Sequence, residues 1–141
     1  KNIDRLARKF HTARKHVPPP EITGDEEGEV GIIAFGSSHW AVRESRDQLA
    51  KDGELATRYL RLKALPFTEH LKEFVRGCRR VYVVEQNRDA QMTQLIKLEL
   101  SDEPEQTGKI RSILHYDGLP IDARSITDGI LEAEKAQSDK A

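Results

Sequence analysis

Cysteine is nearly absent: Cys78 is the only thiol in 141 residues. That excludes an intrachain disulfide. It also excludes an iron–sulfur cluster held by this chain alone, because such a cluster takes about four thiolates. Long apolar runs are missing too. The longest uninterrupted ones, such as Ile32-Ile33-Ala34-Phe35, fall far short of the roughly 20 residues that cross a bilayer. Neither sign of charge is in excess, with 23 Lys+Arg against 24 Asp+Glu, so no global field draws the chain to nucleic acid or to a membrane. Aromatic residues are few, and none interleave with basic residues as they do in single-strand nucleic-acid binders. No secretory signal pattern opens the sequence, which makes a cytoplasmic location the expectation. His39, His70 and His115 are scattered, without the His/Cys/Asp spacing that zinc requires, so no metal site is expected.

What is present fits one ordinary domain: 37% apolar and 33% charged residues, in a chain long enough to bury a core. The first residue is Lys1 and the sequence opens in mid-helix pattern, as a segment of a longer polypeptide would. Ile3, Leu6, Phe10, Ala13 and Val17 recur at steps of three and four and line one helix face. Lys1, Arg5, Arg8, Lys9, Arg14 and Lys15 make the remaining faces basic, either as a solvated surface or as a docking helix for an acidic partner. Pro18-Pro19-Pro20 stops the helix. Glu21 to Glu29 reads as an acidic linker, so that residues 1–29 form an N-terminal helix and linker, 30–135 the main domain, and 136–141 a polar tail that frays.

Within the main domain, strand patterns alternate with helical ones. Val30 to Phe35, Ala56 to Leu62, Val81 to Val84 and Ile110 to His115 are apolar or β-branched runs suited to strands. Helical stretches follow from about His39 to Lys51, around Leu71-Phe74-Val75, through Met92-Leu95-Ile96, and through Ile126-Ile130-Ala133. Gly53 reads as a left-handed helix stop, Thr68 as an N-cap, Asp122 or Ser125 as the last N-cap, and Pro104 to Gly108 as a loop. The pattern predicts a three-layer α/β/α domain with an open, mostly parallel sheet. With the first of these strands central, the spatial order is 2-1-3-4, and a switch point falls between the ends of the first and third strands.

That crevice would be lined by Gly36-Ser37-Ser38 and Glu85-Gln86-Asn87-Arg88. Gly36 permits a tight turn, and the serine hydroxyls and a helix N-terminus offer donors to an anion. Serine before a helix is also a preferred cap, and neither the three-glycine dinucleotide pattern nor the P-loop pattern is present. Glu85 has two readings: it pairs with a cation or caps neighbouring amides, or it faces water while Asn87 caps the helix. The group at Glu85 to Arg88 is the foremost candidate for recognition or subunit contact. Ser37 and Ser38 lack the glycine-flanked nucleophile elbow. Cys78, beside Arg79 and Arg80, is read as a space-filling residue whose pKa neighbouring cations could lower. Trp40 is read as a packing residue. No catalytic constellation emerges.

The strings Ile32-Ile33-Ala34-Phe35-Gly36-Ser37-Ser38, Ala41-Val42-Arg43-Glu44, Leu65-Pro66-Phe67-Thr68, Val83 to Asp89, and His115-Tyr116-Asp117-Gly118-Leu119-Pro120-Ile121 resemble, in order, the alpha subunits of 2-oxoacid:ferredoxin oxidoreductases, especially the 2-oxoglutarate branch. The match runs from the triple proline to about Leu131. The resemblance implies a transketolase C-terminal-like domain that follows the cofactor-binding domains of the same subunit and is not itself catalytic. For the full enzyme it implies thiamine diphosphate and Mg²⁺ at a subunit interface, coenzyme A as acyl acceptor, an iron–sulfur cluster in a beta subunit, and ferredoxin as electron acceptor. None of these is expected to be held by this chain. A small-molecule or nucleotide-binding regulatory module is the alternative. The family commonly has glycine where this sequence has Ala90. Since alanine resists positive φ, the turn there is expected to be helical already.

Overall fold

Five strands, β1 (Glu21–Gly24), β2 (Val30–Phe35), β3 (Thr57–Leu62), β4 (Arg80–Glu85) and β5 (Ile110–Leu114), form one sheet in the order β1-β3-β2-β4-β5. The computed structural model describes residues 1–139. The four strands β3, β2, β4 and β5 are mutually parallel, in the order expected from the alternation of strand and helix patterns. The departure is β1. Residues 21–24, expected as linker, pair antiparallel with β3, with Glu21 opposite Arg61 and Gly24 opposite Arg58. All four β1 residues are exposed, so the strand is held by backbone bonds at the sheet edge and leaves no burial pattern in the sequence.

Side chains alternate across the sheet because successive Cβ atoms point to opposite faces. On one face Ile33, Leu60, Val81 and Val83 pack under α3 (Glu69–Arg76) and α4 (Gln91–Glu99), meeting Leu71, Phe74, Val75 and Ile96. On the other, Val30, Ile32, Ala34, Tyr59, Tyr82 and Val84 pack under α2 (His39–Asp52) and α6 (Ala123–Ser138), meeting Val42, Leu49, Ile126 and Ile130. The result is the three-layer α/β/α arrangement. Gly31 allows α3 to approach: a Cβ there would lie 2.7 Å from Cys78 Sγ and 2.8 Å from Phe74. Cys78 is buried, and burial pushes its thiol pKa up despite Arg58 and Lys109 nearby. Desolvation thus outweighs the cations, which are Arg58 and Lys109 rather than the sequence neighbours Arg79 and Arg80.

Several local expectations are corrected. The left-handed residue closing α2 is Glu54 (φ 48°), not Gly53 (φ −107°). Gly53 N still reaches Leu49 O in the helical pattern, and Leu55 N returns to the same carbonyl, so the turn falls one residue later. Thr68 makes no side-chain cap bond to α3, its hydroxyl meeting His70 Nδ1 instead. Asp122 is the α6 cap, accepting from Ser125 N at 2.8 Å. Pro104 opens a short helix, α5 (Pro104–Thr107), rather than a loop, since proline suits a first helical turn. α6 continues to Ser138, past the expected start of the tail, while residues 140–141 lie outside the described residues. At the other end, α1 (Asn2–Ala13) is anchored near its C-terminus by Arg14, which pairs with Glu99 and donates to Phe67 O. Its apolar side chains Ile3, Leu6 and Phe10 remain exposed.

Candidate functional site

Because β2 and β4 are adjacent and parallel, the turns that follow them emerge at the same rim of the sheet. Gly36 follows β2 with φ +60°, and nothing lies within 4 Å of where a Cβ would be. Its backbone, not a close neighbour, is what favours glycine there. Residues 36–38 form a single 3-10 turn that leads into α2. Ser38 is not a side-chain cap, having helical φ and ψ and no capping bond. Its hydroxyl and that of Ser37 instead accept from Gln86 Nε2, at 3.0 and 3.1 Å. Gln86 Oε1 also accepts from Ile121 N at 3.4 Å. One amide side chain therefore ties together the loops after β2, β4 and β5.

Glu85 ends β4 and is fully buried. Its carboxylate accepts from Met92 N at 2.6 Å, Thr93 N at 2.9 Å, Thr93 Oγ1 at 2.8 Å and Asn87 Nδ2 at 3.0 Å. Asn87 Oδ1 takes Asp89 N at 3.1 Å and Gln91 N at 3.3 Å. The first three amides of α4, normally orphaned at a helix start, thus go to two side chains from the end of the preceding strand. Of the two readings of Glu85, amide capping is the one realised, and it faces no water. Its negative charge sits at the positive end of the α4 dipole. To reach these partners the chain turns at Ala90, which has φ 51° and ψ 45°. The expected helical turn is therefore overturned: bonds from Glu85 and Asn87 hold alanine in a left-handed conformation that costs about 1–2 kcal/mol.

The two turns enclose a crevice of about 430 Å³, lined by Gly36, Ser37, Ser38, Glu85, Gln86 and Asn87. Arg88 is not among the lining residues and pairs with Asp89 at 2.9 Å. Phe35, Met92 and Leu95 form an apolar wall that the sequence reading assigned only to element cores. Around the same rim stand large apolar side chains that were not read as a surface. Trp40, expected inside, is 70% exposed, and Leu119 is also 70% exposed. Leu65, Leu95 and Tyr116 are exposed as well. Each follows the C-terminal end of a parallel strand, or lies in the first turns of the helix after it. Among the described residues no group of three or more His, Cys, Asp or Glu could hold a metal ion, and no helix is long and apolar enough to cross a membrane.

An open, mostly parallel sheet covered on both faces, with polar turns meeting at its switch point, defines a doubly wound α/β domain of the transketolase C-terminal type. A split-gene transketolase structure has this fold, with a TM-score of 0.64 at 22% identity over 83% of this chain and 42% of that one. No protein-family model matches the chain. The alpha subunit of 2-oxoacid:ferredoxin oxidoreductase 2 from Aeropyrum pernix is 30% identical over 119 residues, 81% of this chain and 18% of that subunit. The structure of 2-oxoglutarate:ferredoxin oxidoreductase from Magnetococcus marinus, with 2-oxoglutarate, coenzyme A and succinyl-CoA bound, matches with a TM-score of 0.68. Its identity is 25%, covering 86% of this chain and 21% of that one. The chain is homologous to one domain-sized stretch of the alpha subunits of 2-oxoacid:ferredoxin oxidoreductases. It spans about a fifth of the length of the curated relatives it matches.

Proposed function

We propose that the chain is the C-terminal structural and subunit-contact domain of such an alpha subunit, with the rim of its sheet as the docking face. The full enzyme would oxidatively decarboxylate a 2-oxoacid such as 2-oxoglutarate to an acyl-CoA while reducing ferredoxin. The observation that carries the docking role is that five large apolar side chains, Trp40, Leu65, Leu95, Tyr116 and Leu119, are exposed on the segments that follow the parallel strands at the crevice end of the sheet. Large apolar side chains left exposed at one end of a domain fit contact with another protein surface. The partners are the preceding domains of the same subunit and the beta subunit. Gln86 and the Ser37 and Ser38 hydroxyls supply the polar centre of the contact. Asn87 and Glu85 shape it from behind.

The chain by itself lacks the roughly four thiolates that an iron–sulfur cluster takes. Cys78 is single and buried, and the carboxylates form no metal-sized cluster among the described residues. The resemblance to the alpha subunits assigns thiamine diphosphate, Mg²⁺ and the iron–sulfur cluster to other parts of the enzyme. Glu85 fills the α4 N-terminus with a carboxylate, which leaves no anion position at that helix start.

The test is Trp40→Ser with Leu119→Ser in the full-length subunit. Both side chains are exposed here, so the domain should keep its fold. Association with the beta subunit, or turnover, should fall about tenfold or more, as for the loss of buried interface anchors. Unchanged assembly together with unchanged turnover refutes the docking role.

A further inference from the structure

A second cavity of about 420 Å³ lies between α2 and the outer strands β1 and β3. Arg46 forms part of its wall. Its Nε donates to Thr57 Oγ1 at 3.1 Å, its Nη2 to Thr57 O at 3.0 Å and its Nη1 to Thr23 Oγ1 at 3.3 Å. All three acceptors are neutral. A guanidinium carries five N–H donors, so two remain, and Arg46 is not among the residues with a carboxylate within 4 Å in the ion pairs of the described residues. Burial lowers its pKa, yet a guanidinium stays charged at neutral pH. Asp47 attracts it without forming an ion pair, so a half-buried cation fixed in place still has room for a closer counter-charge.

Two further groups converge on the same cavity. Arg43 lies one helical turn before Arg46, its guanidinium 5.4 Å from the centre of the Trp40 ring. His39 is nine-tenths buried, with Nδ1 3.1 Å from the Tyr59 hydroxyl. Burial pushes the Tyr59 pKa up to about 12, so the phenol keeps its proton. Burial first, and then Arg61 and Arg43, lower that of His39, which favours a neutral ring. In the tautomer in which the phenol donates to Nδ1, the ring proton is on Nε2, which has no hydrogen-bond partner among the described residues. Of the carboxylates on the wall, Glu21 is engaged by Lys63 at 3.2 Å and Arg61 at 3.9 Å, and Asp47 is exposed at the mouth.

We propose that this cavity binds a phosphate-type oxyanion, with Arg43 and Arg46 as its charge partners and His39 Nε2–H as a third donor. A carboxylate would be satisfied by the fork of Arg46 alone, whereas a tetrahedral oxyanion uses donors from several directions. The cavity is also larger than a bare phosphate needs, and is in the range that encloses small organic ligands. A phosphate ester of a small metabolite is the natural class. The proposal does not depend on the docking role of the rim.

The experiment follows the His39 ring resonances of the 141-residue chain by NMR while inorganic phosphate is added at constant ionic strength. Chloride and acetate serve as parallel titrants. A saturable shift with phosphate, weakened about tenfold in Arg43→Gln by loss of one charge-assisted contact, is the expected result. Arg46→Lys should weaken it as well, and Arg43→Gln keeps the test valid should Arg46→Lys disturb β1. Equal shifts with chloride or acetate, no saturation, or the same affinity in Arg43→Gln as in the parent chain would overturn the proposal.

Discussion

Replacing Glu85 by alanine should destabilise the domain by about 3 kcal/mol or more. Met92 N and Thr93 N lose their acceptor at a buried helix start, and an orphaned buried donor costs about 1–3 kcal/mol. Loss of the carboxylate from the positive end of α4 adds about 0.3–1 kcal/mol. Thr93 Oγ1 keeps a partner in Ser112 Oγ at 2.9 Å, and Asn87 is close enough to the surface to turn to water, so neither adds a full penalty. Against a typical domain stability of about 5–15 kcal/mol this loss is large. Glu85→Gln keeps the shape and one acceptor oxygen but turns an NH₂ group toward the donors around Thr93, so it should cost less than alanine and still more than about 1 kcal/mol. Urea denaturation followed by far-UV circular dichroism measures both. With a slope of roughly 1–3 kcal/mol per molar, the alanine midpoint should fall by about 1 M or more at unchanged slope. A loss below about 0.5 kcal/mol, the level of an ordinary surface substitution, refutes the assignment of Glu85 as the internal cap of α4.

Ala90→Gly should stabilise the domain by about 0.5–1 kcal/mol in the same assay, because glycine relieves the left-handed strain; a destabilised variant contradicts the strain. Gly31→Ala should cost about 1–3 kcal/mol by forcing a methyl against Cys78 and Phe74, and a neutral effect would mean that α3 can move away. Burial pushes the Glu134 pKa up, but hydrogen bonds from Tyr82 and Arg80 and the charges of Arg80 and Arg79 outweigh it and hold the carboxyl below its ordinary 4.5. Its contribution is therefore complete above about pH 4.5 and is lost as the pH falls through the lower native value. Glu134→Gln should flatten the acid limb of the stability–pH curve, and an unchanged acid slope would count against the pairing.

The sheet was legible where burial wrote itself into composition. Val30 to Phe35 and Val81 to Val84 are covered on both faces and so read as continuous apolar strands. The order of the four parallel strands followed from placing the first of them centrally. β1 was illegible because its four residues are exposed and its pairing with β3 is carried by the backbone. Gly36 to Ser38 and Glu85 to Asn87 line one crevice, because glycine and polar residues directly after adjacent parallel strands mark turns at one rim, whereas Arg88 does not line it. The roles inside it were not legible. A carboxylate that turns inward to a helix start has the same sequence as one that faces water, and only the geometry of residues 85–93 separates the two. Trp40 was misplaced for a similar reason. Val42, Ser45 and Leu49 form the buried stripe of α2, and a residue two positions before Val42 faces away from it. Had that phase been applied to the first turn, Trp40 would have read as surface.

Hydrogen–deuterium exchange of this chain, alone and as part of the assembled full-length enzyme, tests the docking face most directly. The account predicts that assembly slows exchange at residues 36–40, 86–88 and 116–119, while the backbone of α3 is unchanged. Protection confined to the α3 and α4 surface, with the rim exchanging as fast as in the isolated chain, would contradict it.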